Sequence, residues 1–119
     1  MVYVKTTFFP YRLILNRKQP VQLTIDIRND EGKEKHFAME VDVPRALGLD
    51  STGPRSSDYK NLGALAAGQE KRFYYDIHGK AASEDTEYPV VVKVHEIVPG
   101  SRDILKTTTA RAELTVQGK

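Results

Sequence analysis

The sequence contains no cysteine, and no apolar run approaches the length that crosses a bilayer. Without thiols the chain has no disulfide, no thiolate ligand for zinc or iron–sulfur clusters and no cysteine nucleophile. No sign of charge predominates either, because 18 basic and 16 acidic residues leave a formal net charge of +2. A membrane helix needs about 18 apolar residues, and nucleic-acid binding usually needs a basic surface. We therefore expect neither membrane insertion nor a nucleic-acid partner.

The motifs of common enzyme chemistries are absent as well. The patterns G-x-S-x-G, G-x-x-x-x-G-K-[ST] and G-x-G-x-x-G do not occur, so neither an activated serine nor a phosphate cradle is indicated. Adjacent acidic residues such as Glu84 and Asp85 splay apart in a loop, whereas a glycosidase needs two carboxylates across a cleft. The sequence predicts no enzyme and no cofactor.

Histidine and acidic residues offer one weak metal candidate. His95 with Glu96, and Asp76 with His78, would supply enough ligands only if their two strands were neighbours. Their spacing matches no established ligand motif. The sequence therefore predicts no metal site, and we expect these side chains to lie on solvated strand faces.

Alternation of apolar and polar residues is the dominant pattern. Val21, Leu23, Ile25 and Ile27 alternate with polar residues, which predicts a strand with one buried face. The same period recurs over residues 37–43, 72–77, 88–95 and 110–117, and over 2–9 and 12–15 with an interruption at Pro10. The turn Asn29–Lys33 predicts a hairpin. Such strands without helical crossovers predict one all-β domain over residues 1–119, an immunoglobulin-like antiparallel sandwich of about seven strands.

One connector resembles a known family. The segment Asn61–Gln69 reads NLGALAAGQ and precedes the predicted strand 70–77. It resembles the L-G-x-L-x-x-G-[polar] connector of the CARDB and NEW3 type modules, immunoglobulin-like domains of archaeal and bacterial surface proteins. The entry into the penultimate strand at Glu87–Val92 is similar too, although Thr86 and Glu87 stand where those modules have glycine. The resemblance covers nearly the whole chain and implies an adhesion, spacer or carbohydrate-associated role.

Four residues have predicted structural roles. Gly68 is expected to take a positive φ before its strand. Leu62 and Leu65 are predicted to fold inward as plugs over one end of the sandwich. Tyr88, at the start of its strand, is predicted to form a tyrosine corner, in which its hydroxyl binds the backbone of the preceding loop.

Exposed aromatic and basic residues are the candidates for a binding surface. By strand parity Tyr74 is expected to face solvent beside Arg72, as a platform for a sugar ring or a protein. Tyr59 and Arg55 fall within residues 45–59, the longest irregular segment, which is predicted to be either a partner-binding loop or a flexible crossover. Residues 2–9 are predicted to form an edge strand that pairs with another copy or a neighbouring module.

Together these features predict a non-catalytic binding, adhesion or spacer module within a larger surface protein, acting on a protein partner or neighbouring domain as a monomer or weak homodimer. Two alternatives stay open: a carbohydrate-binding accessory domain that uses Tyr74 and Tyr59, and a stand-alone intracellular sandwich that recruits strands by edge addition. The expected location is the cell surface if the chain is a fragment and the cytoplasm if it is complete, because no signal peptide precedes the first strand.

Overall fold

A computed structural model describes residues 2–14, 20–49, 56–79, 86–101 and 103–117. This part of the chain forms strands joined by turns and contains no helix that could span a membrane. The strands are β1 (Val2–Phe9), β2 (Arg12–Ile14), β3 (Val21–Asn29), β4 (Lys35–Asp42), β5 (Leu47–Gly48), β6 (Ser57–Leu65), β7 (Glu70–Gly79), β8 (Thr86–Ile97) and β9 (Ile104–Gln117).

Two sheets pack face to face, which confirms the predicted antiparallel β-sandwich. One has four strands in the order β1-β3-β7-β5, and the other has five in the order β2-β9-β8-β4-β6. Within the described ranges, all strand pairs are antiparallel except β2 with β9. β3 lies beside β7, and β8 lies between β4 and β9. This strand order is the Greek-key arrangement found in immunoglobulin-like sandwiches.

The expected number of about seven strands is wrong, since the described residues form nine. The two unexpected strands are β5 and β6, which lie in and just after the segment that was expected to be irregular. β5 has only two residues, too few to show a period. β6 carries the positive-φ glycine Gly63 and lies opposite a register shift between Phe37 and Ala38 of β4, so its apolar residues do not alternate.

The core lies between the two sheets and is built by the residues that the alternation identified. Val21, Leu23, Ile25 and Ile27 of β3 are all fully buried. Phe37, Met39 and Val41 of β4, with Val90, Val92 and Val94 of β8, pack against them from the other sheet. Each such side chain contributes about 1.5–3 kcal/mol by leaving water. A core of this kind holds the strand edges and outer faces in fixed positions.

Candidate functional site

Tyr74 lies on the outer face of the four-stranded sheet, as its parity predicted. Its side chain is 56% exposed, and Arg72 on the same strand is exposed beside it. The Arg72 Nε donates a hydrogen bond to Asp26 Oδ1 at 2.6 Å. This bond raises the pKa of the Arg72 guanidinium above its ordinary value. Arg72 is therefore held by Asp26 and also interacts with the Tyr74 hydroxyl, whereas the Tyr74 ring is exposed on this face.

Tyr59 lies on the outer face of the other sheet. It pairs with Glu40, whose neighbours Met39 and Val41 point into the core, so Tyr59 points away from it. The two tyrosines thus have nearly equal exposure, 57% and 56%, but lie on opposite outer faces of the sandwich. The structure does not bring Tyr59 and Tyr74 together. Arg55, the remaining predicted surface residue, lies outside the described residues.

Tyr59 lines an open groove of about 490 Å³. Among the described residues, Asn61 on the same strand, Ile97 at the end of β8 and Ser101 in the turn that follows also line it. The turn is fixed by a hydrogen bond of 3.0 Å from the Ser101 backbone N–H to the Val98 carbonyl. An aromatic ring beside amide and hydroxyl groups can bind a ligand that has one apolar face and polar substituents.

The expected loop over residues 45–59 is wrong at both ends. Leu47 and Gly48 form β5, which pairs with the end of β7, and residues from Ser57 onward belong to β6. Leu47 is buried in the core, and this burial holds β5 against the sandwich. Because the two ends belong to different sheets, this segment crosses between the sheets; residues 50–55 lie outside the described part of the chain.

The predicted structural residues behave in three ways. Gly68 has a φ of 76°, which confirms the prediction. Leu62 and Leu65 are buried as expected; both belong to β6 and pack in the core, and their role as plugs over one end of the sandwich stays a prediction. Tyr88 is the third residue of β8 and packs against the core. The bond from its hydroxyl to the preceding loop stays a prediction, because residues 80–85 are not described.

The histidine and acidic residues do not form the metal arrangement that sequence reasoning considered. Asp76 and His78 are on β7 and His95 is on β8, and these strands belong to different sheets. His95 Nδ1 lies 2.8 Å from the Thr107 hydroxyl, and Nε2 lies 3.3 Å from Glu40 Oε1. In the part of the chain that the structure describes, no three His, Asp or Glu side chains are grouped to hold a metal ion.

One lateral side of the sandwich has two open strand edges. Across the described residues, β1 has no partner on the side away from β3, and β2 covers β9 only at Thr115–Gln117. Seven large hydrophobic side chains are exposed among these residues, and five of them lie on this side. They are Tyr3, Phe9, Tyr11, Ile104 and Leu105, and we call this surface the β1–β9 side. The sequence predicted only the edge strand over residues 2–9; within it Phe8 points inward, and Phe9 is 75% exposed.

No family model matches this sequence, and no curated protein matches it either.

Proposed function

We propose that this chain is a non-catalytic interaction module that binds a protein partner or a neighbouring domain through its β1–β9 side. The observation that carries this proposal is the set of exposed apolar side chains beside the free edge of β1 and the part of β9 that β2 leaves uncovered. Unpaired strands offer backbone donors and acceptors to an added strand, and apolar side chains flanking them supply further contact area. Both kinds of contact are therefore available on one surface.

The rigid sandwich supports such a role. The buried faces of β3, β4 and β8 fix the positions of these strand edges, so little conformational entropy is lost when a partner binds. A surface-protein adhesion or spacer module, as the CARDB and NEW3 resemblance implies, is part of this proposal. The stand-alone, strand-recruiting alternative would use the same side of the molecule.

Affinity capture from the source cells tests the proposal with two matched double variants. Phe9→Lys with Leu105→Lys changes the β1–β9 side, whereas Tyr59→Lys with Tyr74→Lys changes two large exposed side chains on the outer faces and adds the same charge. We expect a partner to be captured by the wild type and by the Tyr59/Tyr74 variant, and to be lost with the Phe9/Leu105 variant. The captured protein is then titrated against each purified form. Equal binding by all three forms contradicts the proposal.

The groove beside Tyr59 favours a carbohydrate-binding role as the second candidate. A ligand contacting both Tyr59 and Tyr74 would have to reach two opposite faces, so the candidate site is the groove alone. Soluble gluco-, manno- and chito-oligosaccharides are titrated against Tyr59→Ala and Tyr74→Ala while amide chemical shifts are recorded. Loss of binding with Tyr59→Ala alone supports this role. Absence of binding to the wild type, or equal loss in both variants, opposes it.

A further inference from the structure

Natural β-sheet proteins protect their open edges with bulges, inward-pointing charges or short covering strands. Strand β6 has a bulge, and its Lys60 occupies an inward position opposite Met39, with its ammonium 5.4 Å from the centre of the Phe73 ring. Strand β7 has Lys71 at an inward position opposite Ile27, and β5 covers one end of it. These two edges therefore carry such protection.

Strand β9 is protected at both of its ends. β2 pairs with Thr115–Gln117 at one end. At the other end Lys106 lines the space between the sheets together with Val2 and Thr108. A strand that added to β9 would have to pair beside that lysine and stop at β2. The edge of β9 is therefore a poor template for a long added strand.

Among the described residues, strand β1 has no bulge, no inward-pointing charge and no covering strand; its edge carries only the outward Lys5, with Pro10 directly after its last residue. Its eight residues pair with β3 in an unbroken register from Val2 opposite Asn29 to Phe9 opposite Gln22. The inward residues Val2, Val4, Thr6 and Phe8 are only partly buried, and the outward residues Tyr3, Lys5, Thr7 and Phe9 are exposed. Its single charged residue, Lys5, points outward. This edge is regular, long and apolar on its inner face.

We propose that the β1 edge is a self-association surface, on which β1 of a second copy pairs antiparallel about a two-fold axis at Thr6. The two four-stranded sheets then become one continuous sheet of eight strands. This inference rests on the proposed function, since it names the partner of the same side. A two-fold pairing is also the commonest closed arrangement of identical chains.

Charge selects the register and favours a second copy as the occupant. A two-fold axis normal to the sheet keeps inward residues opposite inward residues, so Lys5 or Thr6 must lie at the centre for the longest overlap. Centring on Lys5 sets two ammonium groups directly opposite, which is unfavourable. Centring on Thr6 sets Lys5 opposite Thr7 of the other copy, and no like charges meet. A net charge of +2 adds little general repulsion.

The Thr6 register also pairs the exposed aromatic residues. Tyr3 lies opposite Phe9 of the other copy, Val4 opposite Phe8, and Thr6 opposite Thr6. Aromatic pairs and threonine pairs are favourable cross-strand neighbours. Val2 and Lys106 line the same small space between the sheets, so the start of β9 lies at the end of β1 that Phe9 of the other copy reaches.

Sedimentation equilibrium over a wide protein concentration range tests the pairing. Thr7 is exposed and faces Lys5 of the other copy only in the Thr6 register, so the sign of a charge at this position is diagnostic. We expect Thr7→Lys to raise the dimer dissociation constant about tenfold and Thr7→Glu to lower it about tenfold, since each change acts at two symmetric pairs. Thr109→Lys and Thr109→Glu, on the exposed face of β9, are the matched controls and should leave it unchanged.

Three results would overturn the inference: a wild type that stays monomeric at every concentration, equal effects of Lys and Glu at position 7, or equal effects at positions 7 and 109. Thermal unfolding of each variant shows that its monomer is intact. If the wild type stays monomeric while the capture experiment still yields a different protein lost with the Phe9/Leu105 variant, self-association fails and the proposed function stands. If neither experiment yields a partner, both fail.

Discussion

The Tyr75 hydroxyl donates a hydrogen bond to a carboxylate oxygen of Asp58 at 2.7 Å, and this bond joins the two sheets. Tyr75 is on β7 of the four-stranded sheet, and Asp58 is on β6 at the edge of the other. The Lys60 ammonium lies 5.5 Å from the centre of the Tyr75 ring and adds a cation–π contact. The β6–β7 side of the sandwich is thus linked by polar contacts, whereas the β1–β9 side presents exposed apolar groups. The two lateral sides therefore differ in the surface that they offer to a protein partner.

Removing the Tyr75 hydroxyl should weaken the link between the sheets. We expect Tyr75→Phe to lower the free energy of unfolding by about 1 kcal/mol, because a partly buried hydrogen bond to a charged group is lost. Urea denaturation measures the change. Tyr74→Phe is the matched control, since the neighbouring Tyr74 is exposed on the outer face, and its effect should be within about 0.5 kcal/mol of zero. Equal costs at both positions would argue against the inter-sheet bond.

Asn29 connects two turns that are distant in sequence. Its side chain is fully buried, and Nδ2 donates to the carbonyls of Lys33 and Leu65 at 2.9 Å each. Its Oδ1 accepts a hydrogen bond from the Glu31 backbone N–H, also at 2.9 Å. The side chain therefore ties the β3–β4 hairpin to the end of β6.

Truncating Asn29 should be far more costly than truncating an exposed asparagine. We expect Asn29→Ala to lower the free energy of unfolding by about 3 kcal/mol, because buried backbone groups lose their partners. Asn61→Ala removes only an exposed local bond to the Gly63 N–H, and its cost should stay below about 1 kcal/mol. Urea denaturation of both variants makes the comparison. A small effect at Asn29 would mean that water replaces its side chain.

The fold was predictable because a strand with one buried and one exposed face produces an alternation of apolar and polar residues in the sequence. Val21 to Ile27 alternate strictly, since β3 is central and one face is buried. Strand β6 shows no such alternation. It lies at a sheet edge, its bulge displaces Leu62 from the alternation, and most of its side chains are exposed. Edge strands with bulges depend on the neighbour they pair with, and that neighbour is not local in the sequence.

The candidate site was predictable only in part, for a related reason. Parity alone placed Tyr74 outward, because it is a property of one strand. The exposure of Ile104 and Leu105 depends on where β2 stops covering β9, and β2 is distant along the chain. The separation of Tyr59 from Tyr74 depends on the assignment of β6 and β7 to different sheets. Both the exposure of these side chains and the separation of the two tyrosines depend on pairing between distant strands, which the periodicity of a single strand does not predict.

Two glycines offer a test of backbone strain free of packing effects. Gly68 has a φ of 76°, and Gly32 has no positive φ; a Cβ added at either position would meet no atom within 4 Å. We expect Gly68→Ala to lower the free energy of unfolding by about 1 kcal/mol, because an alanine is strained in the left-handed region. Gly32→Ala should be neutral or slightly stabilising. Thermal unfolding compares the two, and equal effects would contradict the assigned φ of Gly68.

Two aspartates have pKa values shifted in opposite directions. Burial, followed by repulsion from Glu40, raises the pKa of Asp42 above its ordinary value. The hydrogen bond from Arg28 lowers the pKa of Asp30 below it. The protonated Asp42 carboxyl therefore contributes stability below the pKa that it has in the unfolded state, and this contribution is lost as the pH rises through its pKa in the folded state. The ionised Asp30 carboxylate contributes stability above the pKa that it has in the unfolded state, and this contribution is lost as the pH falls through its pKa in the folded state.

Neutral amides at these positions should therefore act with opposite signs. At pH 7 we expect Asp42→Asn to stabilise the fold, because it removes a charge that burial and Glu40 disfavour. Asp30→Asn should destabilise it slightly, because an exposed ion pair with Arg28 is lost. Both effects should shrink well below about pH 4, where the wild-type carboxyl groups take up protons. Urea denaturation at both pH values measures them, and a shared sign at pH 7 would show that one of the two environments is assigned wrongly.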